Sequence, residues 1–326
     1  MESPQLASYM AKSISKSITL KASSSLNSLV KWKPKMMQDL SLRVVIVTGA
    51  NSGIGYHMAS GFASRDAIVI MACRNIEKGK AAREKLLKKH PGTMIHVMEL
   101  DLADLESIGR FTDEILLKYK NLDILVNNAG VMIPPKSETK DGFELQIGTN
   151  HLGHFALTGK LFPLLKGTPG SRVVTVSSIA HNMGDINLDD LNYKSRKYSK
   201  WPAYGQSKLA NLMFAIEFDR RLKSSGIDVK SFGSHPGYSR TKLQRHSILW
   251  RLLNVIAMRA KTGAQSTLFA ATSDLANDCV YWGPTGLLDA WGKIGKSTIN
   301  EKAMDEKVAK KLWELSEELT GVKYEF

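Results

Sequence analysis

Val44-Val45-Ile46-Val47-Thr48-Gly49-Ala50-Asn51-Ser52-Gly53-Ile54-Gly55 is the stretch that decides the fold. Four consecutive apolar residues of strand length, with no polar face, are the pattern of a strand buried on both sides. The run ends in a glycine-rich turn, and a helical pattern follows to about Ser64. Strand, turn and helix make the first half of a βαβ unit. Gly49 permits the tight turn, Gly53 lets backbone approach a pyrophosphate, and Gly55 allows close helix–strand packing. The helix N-terminus can hold phosphate with its unpaired N–H groups. The spacing is GxxxGxG rather than GxGxxG, so the position after a buried-type strand carries the reading more than the triplet does.

Alternation of strand and helix patterns continues downstream. Ala67 to Ala72 is a second strand, followed by Cys73-Arg74-Asn75. In such units an acid about 20 residues past the glycine turn binds the ribose 2′-hydroxyl, whereas an Arg accommodates a 2′-phosphate. No acid lies between Ala67 and Ile76, and Arg74 supplies a planar, permanently charged fork, which favours NADP(H) over NAD(H). A solvated Arg at a strand end is the plainer reading. A helix over Ile76 to Lys89 and a strand over Met94 to Leu100 then deliver Asp101 to a strand's carboxyl end. An adenine contact and a cap for the helix starting near Asp104 are both open to Asp101. Leu122 to Val126 is a fourth strand ending in Asn127-Asn128-Ala129-Gly130, small and amide residues that suit a sharp turn or a close approach to a flat ligand.

Glu144 to about Leu165 reads as one long helix with Asn150, His151 and His154 inside it. Asn is a mediocre helix former, so Asn150 hints at a polar task. Arg172 to Ser177 is a strand that presents Ser177-Ser178 at its end. A connection of some 23 residues leads to Trp201-Pro202-Ala203-Tyr204-Gly205-Gln206-Ser207-Lys208. Spacing of four places Tyr204 and Lys208 on one helix face, about 5–6 Å apart at Cβ. A fixed positive charge beside a phenol favours the phenolate and lowers a pKa near ~10, which opens general acid–base chemistry. On an ordinary helix such a pair is a surface Tyr and a solvated Lys. A strand over Ile227 to Ser234 precedes His235-Pro236-Gly237 and Thr241, and residues 238–261 mix apolar side chains with Arg and Lys as a lid over a cofactor would. A helix near Thr262 to Ser273, an irregular stretch at 281–292 and a helix from about Ala303 to Leu319 complete the chain.

The 326 residues suit one α/β domain with appendages, and no apolar run approaches the ~18 residues of a membrane span. Cys73 and Cys279 are the only cysteines, which makes a disulfide framework an unsuitable reading, and neither belongs to a metal-ligand cluster. Residues 1–42 carry six Lys against Glu2 and Asp39 (+4), leaving +10 of the +14 for the remainder. Dispersed basic residues argue against nucleic acid and fit an anionic cofactor or a membrane surface. Residues 1–40 form a Ser/Lys-rich extension. Leu6, Met10, Ile14 and Ile18 recur every four residues there, with a Ser-rich joint at 23–28, as in a targeting segment, an interfacial anchor or a plain tail.

TGANSGIG at 48–55, NNAG at 127–130, Asn150, Ser178, Tyr204xxxLys208 and Pro236-Gly237 with Thr241 together resemble the short-chain dehydrogenase/reductase family over roughly residues 41–275. MACRN at 71–75, TNHLGHF at 149–155, VSSIAH at 176–181, YGQSKLAN at 204–211, RHS with LWRLL at 245–253 and LWELSEELTG at 312–321 are similar to its NADP-dependent retinol dehydrogenase group. The resemblance implies a single-domain, Rossmann-like, doubly wound parallel sheet of about seven strands flanked by helices, spanning 41–326. It implies Tyr204 as general acid/base, Lys208 lowering its pKa, Ser178 polarising a carbonyl and Asn150 supporting a proton relay. Cofactor contacts are implied for Gly49, Asn51, Ser52, Gly53, Ile54 and Gly55 in the turn and for Arg74, Asp101 and Leu102 beyond it. They are implied further for Asn127, Ala129, Gly130, Tyr204, Lys208, Pro236, Gly237 and Thr241. The expected activity is hydride transfer between NADP(H) and the carbonyl or alcohol of a bulky lipophilic substrate. A membrane-associated NADP-binding sensor or scaffold is the alternative. The expected setting is cytoplasmic or peripheral on an intracellular membrane through 1–40 or 238–261, with organelle targeting by the extension and homo-oligomers open.

Overall fold

β1 (Val44–Thr48) is buried along its whole length and sends alternate side chains to opposite cores. Val45 and Val47 enter one core with Met58, Phe62, Leu268 and Phe269, while Val44 and Ile46 enter the other with Ile108, Phe111, Phe155 and Phe218. A strand apolar on both faces therefore forces helices onto both sides of the sheet. The computed structural model describes residues 29–238, 258–286 and 289–326. The amphipathic pattern at 6–18, the Ser-rich joint, Thr241 and nearly all of the 238–261 stretch lie outside the described residues.

After β1 come α1 (Gly53–Ala63), β2 (Ile68–Cys73), α2 (Ile76–Lys89), β3 (Ile95–Glu99), α3 (Leu105–Lys118) and β4 (Ile124–Asn127). The second half runs through α4 (Leu145–Ile147), a π-helical turn (Gly148–Leu152), α5 (Gly153–Lys166), β5 (Ser171–Val176) and α6 (Lys200–Ser224). β6 (Val229–Ser234), α7 (Ala260–Thr272), β7 (Tyr281–Pro284), β8 (Ile294–Lys296) and α8 (Glu306–Thr320) follow. The strand order is β3-β2-β1-β4-β5-β6-β7-β8, parallel throughout except for the antiparallel β7–β8 pair. Chain direction along the sheet reverses between β1 and β4, and a crevice at the carboxyl ends of those two strands is where open α/β sheets bind ligands.

Two local expectations are corrected. The single helix over 144–165 is broken by the π-helical turn, which carries Asn150. The stretch at 281–292 is not irregular throughout: it contains β7, and β8 follows it at Ile294. Tyr281-Trp282-Gly283-Pro284 hides a buried strand because it is short and contains both strand-breaking residues. Gly283 is required there, since a Cβ would lie 1.9 Å from His235 Nε2.

Residues 29–40, grouped with the tail by composition, strap across the sheet's edge and one helical layer. Val30 N–H donates to the Ile294 carbonyl at 3.0 Å, Leu40 N–H to the Arg65 carbonyl at 2.9 Å, and Trp32 meets Phe269 edge to face at 5.6 Å. Trp32, Met37 and Leu40 are buried in the core. Trp32→Ala should therefore lower unfolding stability by about 3–5 kcal/mol, the range for deleting a buried large aromatic. Urea denaturation measures it, and a loss below 1 kcal/mol would show that the strap contributes nothing to the fold.

Candidate active site

The glycine turn is shaped by what its backbone touches. Gly49 has φ +66°, and a Cβ there would sit 3.1 Å from Ala129 Cα across the switch point. At Gly55 a Cβ would lie 2.5 Å from the Gly49 carbonyl oxygen, so α1 presses on the turn. Gly53, with φ +57°, has nothing within 4 Å of a built Cβ. Open space at that residue, beside an N-cap Ser52 whose side chain makes no cap hydrogen bond, fits an anion on the first N–H groups of α1. Asn51 and Ser52 are half-buried on this rim, and Ile54 turns into the core. Cys73, which sequence reasoning did not assign, packs beneath the turn: burial pushes its thiol up to about 11, against hydrogen bonds from the backbone of Asn51 and Ala50.

Arg74 is exposed at the carboxyl end of β2 and makes no hydrogen bond or ion pair with another described residue. Asp101 follows β3, and its Oδ1 accepts from Ala103 N–H at 3.0 Å. Asp104, not Asp101, caps α3 by accepting from Glu106 and Ser107 N–H at 3.0 and 3.3 Å. Leu102 is buried, and a Cβ at Gly153 would approach its carbonyl to 2.3 Å, so α5 passes directly behind this loop.

Thr48 and Asn128, neither assigned from sequence, suture the switch point. Thr48 Oγ1 accepts from Asn128 and Ala129 N–H at 2.8 and 2.9 Å, and Asn128 Nδ2 donates to the Thr48 carbonyl at 2.7 Å. His154 contacts Thr48 Oγ1 through Nε2 at 2.9 Å and the Asn150 carbonyl through Nδ1 at 2.9 Å. A carbonyl only accepts, so the proton sits on Nδ1 and Nε2 takes the Thr48 hydroxyl hydrogen. Burial holds this imidazole neutral, with its pKa down to about 4. Asn127 turns its side chain inward, donating to Thr158 Oγ1 at 2.9 Å and leaving Oδ1 without a partner among the described residues.

Ser178, Tyr204, Lys208 and Asn150 converge at the carboxyl ends of β4 and β5. Ser178 Oγ accepts from Ala180 N–H at 3.1 Å, capping the helical turn Ile179–Met183. That turn packs backbone to backbone on α6, because a Cβ at Gly184 would lie 2.4 Å from the Gly205 carbonyl oxygen. Glycines at both positions thus bring Ser178 to Tyr204 across 26 positions of chain. Asn150 Oδ1 accepts from Val131 N–H at 2.8 Å, while its Nδ2 donates to the Val131 carbonyl at 3.0 Å and to Ser207 Oγ at 2.9 Å. Gly130 runs between Asn150 and Lys208: a Cβ there would lie 2.9 Å from Asn150 Oδ1 and 3.7 Å from Lys208 Nζ. Gly237, beyond β6, has φ +62° and donates its N–H to His235 Nδ1 at 3.2 Å, with Pro236 half-buried before it.

Lys208 Nζ donates to the Val176 carbonyl at 3.0 Å and stands 5.9 Å from the Tyr204 ring centroid. Burial is the dominant influence on both groups. It pushes Tyr204 up to about 12, opposed by a hydrogen bond with Ser178, and Lys208 down to about 8. Desolvation thus dominates the phenol, and the hydrogen bond with Ser178 rather than the ammonium is what opposes it. At neutral pH the pair is a phenol and an ammonium, a proton donor beside a cation. Among the described residues no group of His, Cys, Asp and Glu is placed to hold a metal ion.

With this geometry in hand, comparison with known proteins is direct. The family model for short chain dehydrogenases matches residues 43–251. Human retinol dehydrogenase 12 is 41% identical over 291 residues, covering 87% of this chain and 88% of its own. The crystal structure of an uncharacterized protein from Mycobacterium paratuberculosis is 43% identical, with a TM-score of 0.78 over 91% of this chain and 100% of that one. A short chain dehydrogenase from Shigella flexneri, complexed with NADP, is 25% identical with a TM-score of 0.56 over 73% of this chain and 94% of its own.

Lys208 binds fewer protons folded than unfolded between about pH 8 and its ordinary 10.5, so its burial opposes folding most below pH 8 and least above 10.5. Lys208→Met should raise the melting temperature at pH 7, since Asn211 Nδ2 still donates to the Val176 carbonyl at 3.2 Å. The gap to the unmodified protein should narrow by pH 10. Thermal melts at both pH values check this, and a gap independent of pH would count against the shift.

Proposed function

The chain belongs to the short-chain dehydrogenase family and is an oxidoreductase of the kind that uses a nicotinamide cofactor, and from that premise we propose that it is an NADPH-dependent carbonyl reductase acting on bulky apolar aldehydes or ketones. The observation that carries the reading is the convergence of Ser178 and Lys208 on a buried Tyr204, beside an apolar wall of Ile133, Ala180, Met132, Met183 and Trp201. NADP bound to the Shigella relative and the human retinol dehydrogenase supports the cofactor and a lipophilic substrate.

A bound nicotinamide would supply the hydride that adds to the carbonyl carbon. The residues of this chain do the rest. The open backbone at Gly53 and the N-terminus of α1 take the pyrophosphate, and Gly49, Ala129 and Gly130 keep the crevice narrow enough for a flat ring. Arg74 pairs with the 2′-phosphate through charge-assisted bonds. Ser178 donates a hydrogen bond to the carbonyl oxygen as charge develops there. Tyr204 gives that oxygen a proton, the form it holds at neutral pH, and Lys208 stabilises the phenolate that results. Asn150 keeps Val131 and Ser207 in register around the pair.

Tyr204→Phe should lose on the order of 10²–10⁴ in kcat with NADPH binding retained, because general acid catalysis contributes that much. Near-normal turnover, measured as NADPH oxidation with a panel of retinal, steroid and quinone carbonyls, would reject the role. Arg74→Ala should cost about 1.5–3 kcal/mol of NADPH affinity, the scale of a hydrogen bond to a charged group, and leave NADH unaffected. Fluorescence titration with both cofactors decides it, since equal losses would remove Arg74 from the 2′-phosphate.

A further inference from the structure

Ile133 stands out in the apolar wall. It is buried, its side chain packs with Ala180 and Tyr204, and its φ is +49°, a left-handed conformation that β-branched residues rarely adopt. Something must hold it there. Among the described residues its backbone N–H finds its acceptor on a side chain: Ile133 N–H donates to Gln146 Oε1 at 2.8 Å. Gln146 is wholly buried, and its Nε2 donates to Tyr198 Oη at 3.1 Å and to the Lys200 carbonyl at 3.0 Å. One amide therefore joins the loop after β4 to the segment that enters the Tyr204 helix. Those are the two sides of the apolar wall, with Met132 and Ile133 on one and Trp201 on the other.

Spacing supports a dedicated role. Gln146 and Asn150 lie four residues apart, and each holds the loop after β4: Asn150 bonds both backbone groups of Val131, and Gln146 bonds the N–H of Ile133 two residues on. Asn150 reaches the interior of α6, at Ser207 beside the Tyr204–Lys208 pair, whereas Gln146 reaches its first residue, Lys200. Gln146 reaches the wall and not the proton-transfer groups. We propose that Gln146 is a positioning residue that keeps Ile133 left-handed against Tyr204 and thereby selects bulky apolar carbonyls over small ones. This rests on the carbonyl-reductase reading of the site.

A double-variant cycle on Gln146 and Ile133 in the full-length protein tests it, using NADPH with a three-carbon aldehyde and with a polycyclic ketone. Gln146→Leu should raise KM for the polycyclic ketone about tenfold, the scale of a misplaced apolar contact. It should leave kcat for the small aldehyde and the Kd of NADPH within about twofold, because neither depends on the wall. Ile133→Gly, which tolerates the left-handed conformation unaided, should give the same selective loss, and the double variant should show the larger single effect rather than their product. Multiplied effects, a parallel fall of kcat on both substrates, or no change in the KM ratio would overturn the proposal. Should Gln146→Leu not fold, the volume-matched Gln146→Met replaces it. If neither folds alone but either folds with Ile133→Gly, the coupling is established; failure there too would make Gln146 merely structural and overturn the proposal. Absence of carbonyl turnover in the unmodified protein would instead overturn the function reading, and melting temperatures across the same four proteins would still decide the coupling.

Discussion

The hydroxyl of Thr48 is the point on which the binding end of the sheet depends. Two backbone N–H groups from the end of β4 converge on it, and its own hydrogen goes to His154 on α5. Three elements are thus fixed to one oxygen at the place where the sheet's winding reverses. Without that oxygen two half-buried N–H groups would lose their acceptor, at up to about 1–3 kcal/mol each where water cannot replace it. With it, Gly49 and Ala129 come close enough that a Cβ on Gly49 would lie 3.1 Å from Ala129 Cα. His154 passes the constraint on, since its other nitrogen holds the carbonyl of Asn150. The phosphate turn and the proton-transfer group are therefore referenced to the same atom.

Several departures from local structural rules lie at this end. Among the described residues Lys208 is buried without a carboxylate and Asn127 Oδ1 has no partner, and Ile133 is left-handed. Helix ends away from the site are ordinary, with Asn75, Asp104 and Asp305 as N-caps and Gly321 ending α8 with φ +67°, although Leu42 and Asp66, ahead of β1 and β2, also have positive φ, +66° and +61°. A buried ammonium is the kind of departure that a functional site produces when stability is given up for reactive geometry. The aromatic packing of Phe155, Phe214, Phe218, Trp313 and Tyr324 behind α5 and α6 supplies rigidity against that loss, with Trp313 stacked on Phe214 at 5.6 Å.

How much of this was legible in the sequence depended on whether a feature is local. β1, the glycine turn and α1 could be read because burial, turn chemistry and helix onset lie in one run of residues. Tyr204 and Lys208 could be read as a pair because helical spacing guarantees that they are neighbours. The roles of Thr48, Gln146 and Cys73 could not, because their partners are distant in sequence and nothing in their own neighbourhoods marks them. The π-helical turn was hidden too: Gly148, Thr149 and Asn150 weaken a helix without saying that it will widen, and the bonds of Asn150 to Val131 and Ser207 that accompany the widening reach residues distant in sequence. β7 was missed because tertiary pairing with β6 and β8 overrides the breaking tendency of Gly283 and Pro284.

The substrate side of the site is built differently from the cofactor side. A parallel sheet ends in loops, and the loop after β4, the turn after β5 and the segment before α6 have no backbone ladder to join them. Side chains join them instead. Buried Glu144, with its carboxyl pKa raised by desolvation, accepts from Gln146 and Ile147 N–H at 3.0 and 2.9 Å and from Tyr198 Oη at 3.3 Å. Gln146 and Asn150 complete the set. Proton transfer thus rests on strand ends and a long helix, while the shape of the wall rests on amides and one carboxylate. Because these two supports share few atoms, the wall can be recut by changing one amide while Ser178, Tyr204 and Lys208 stay where the sheet puts them.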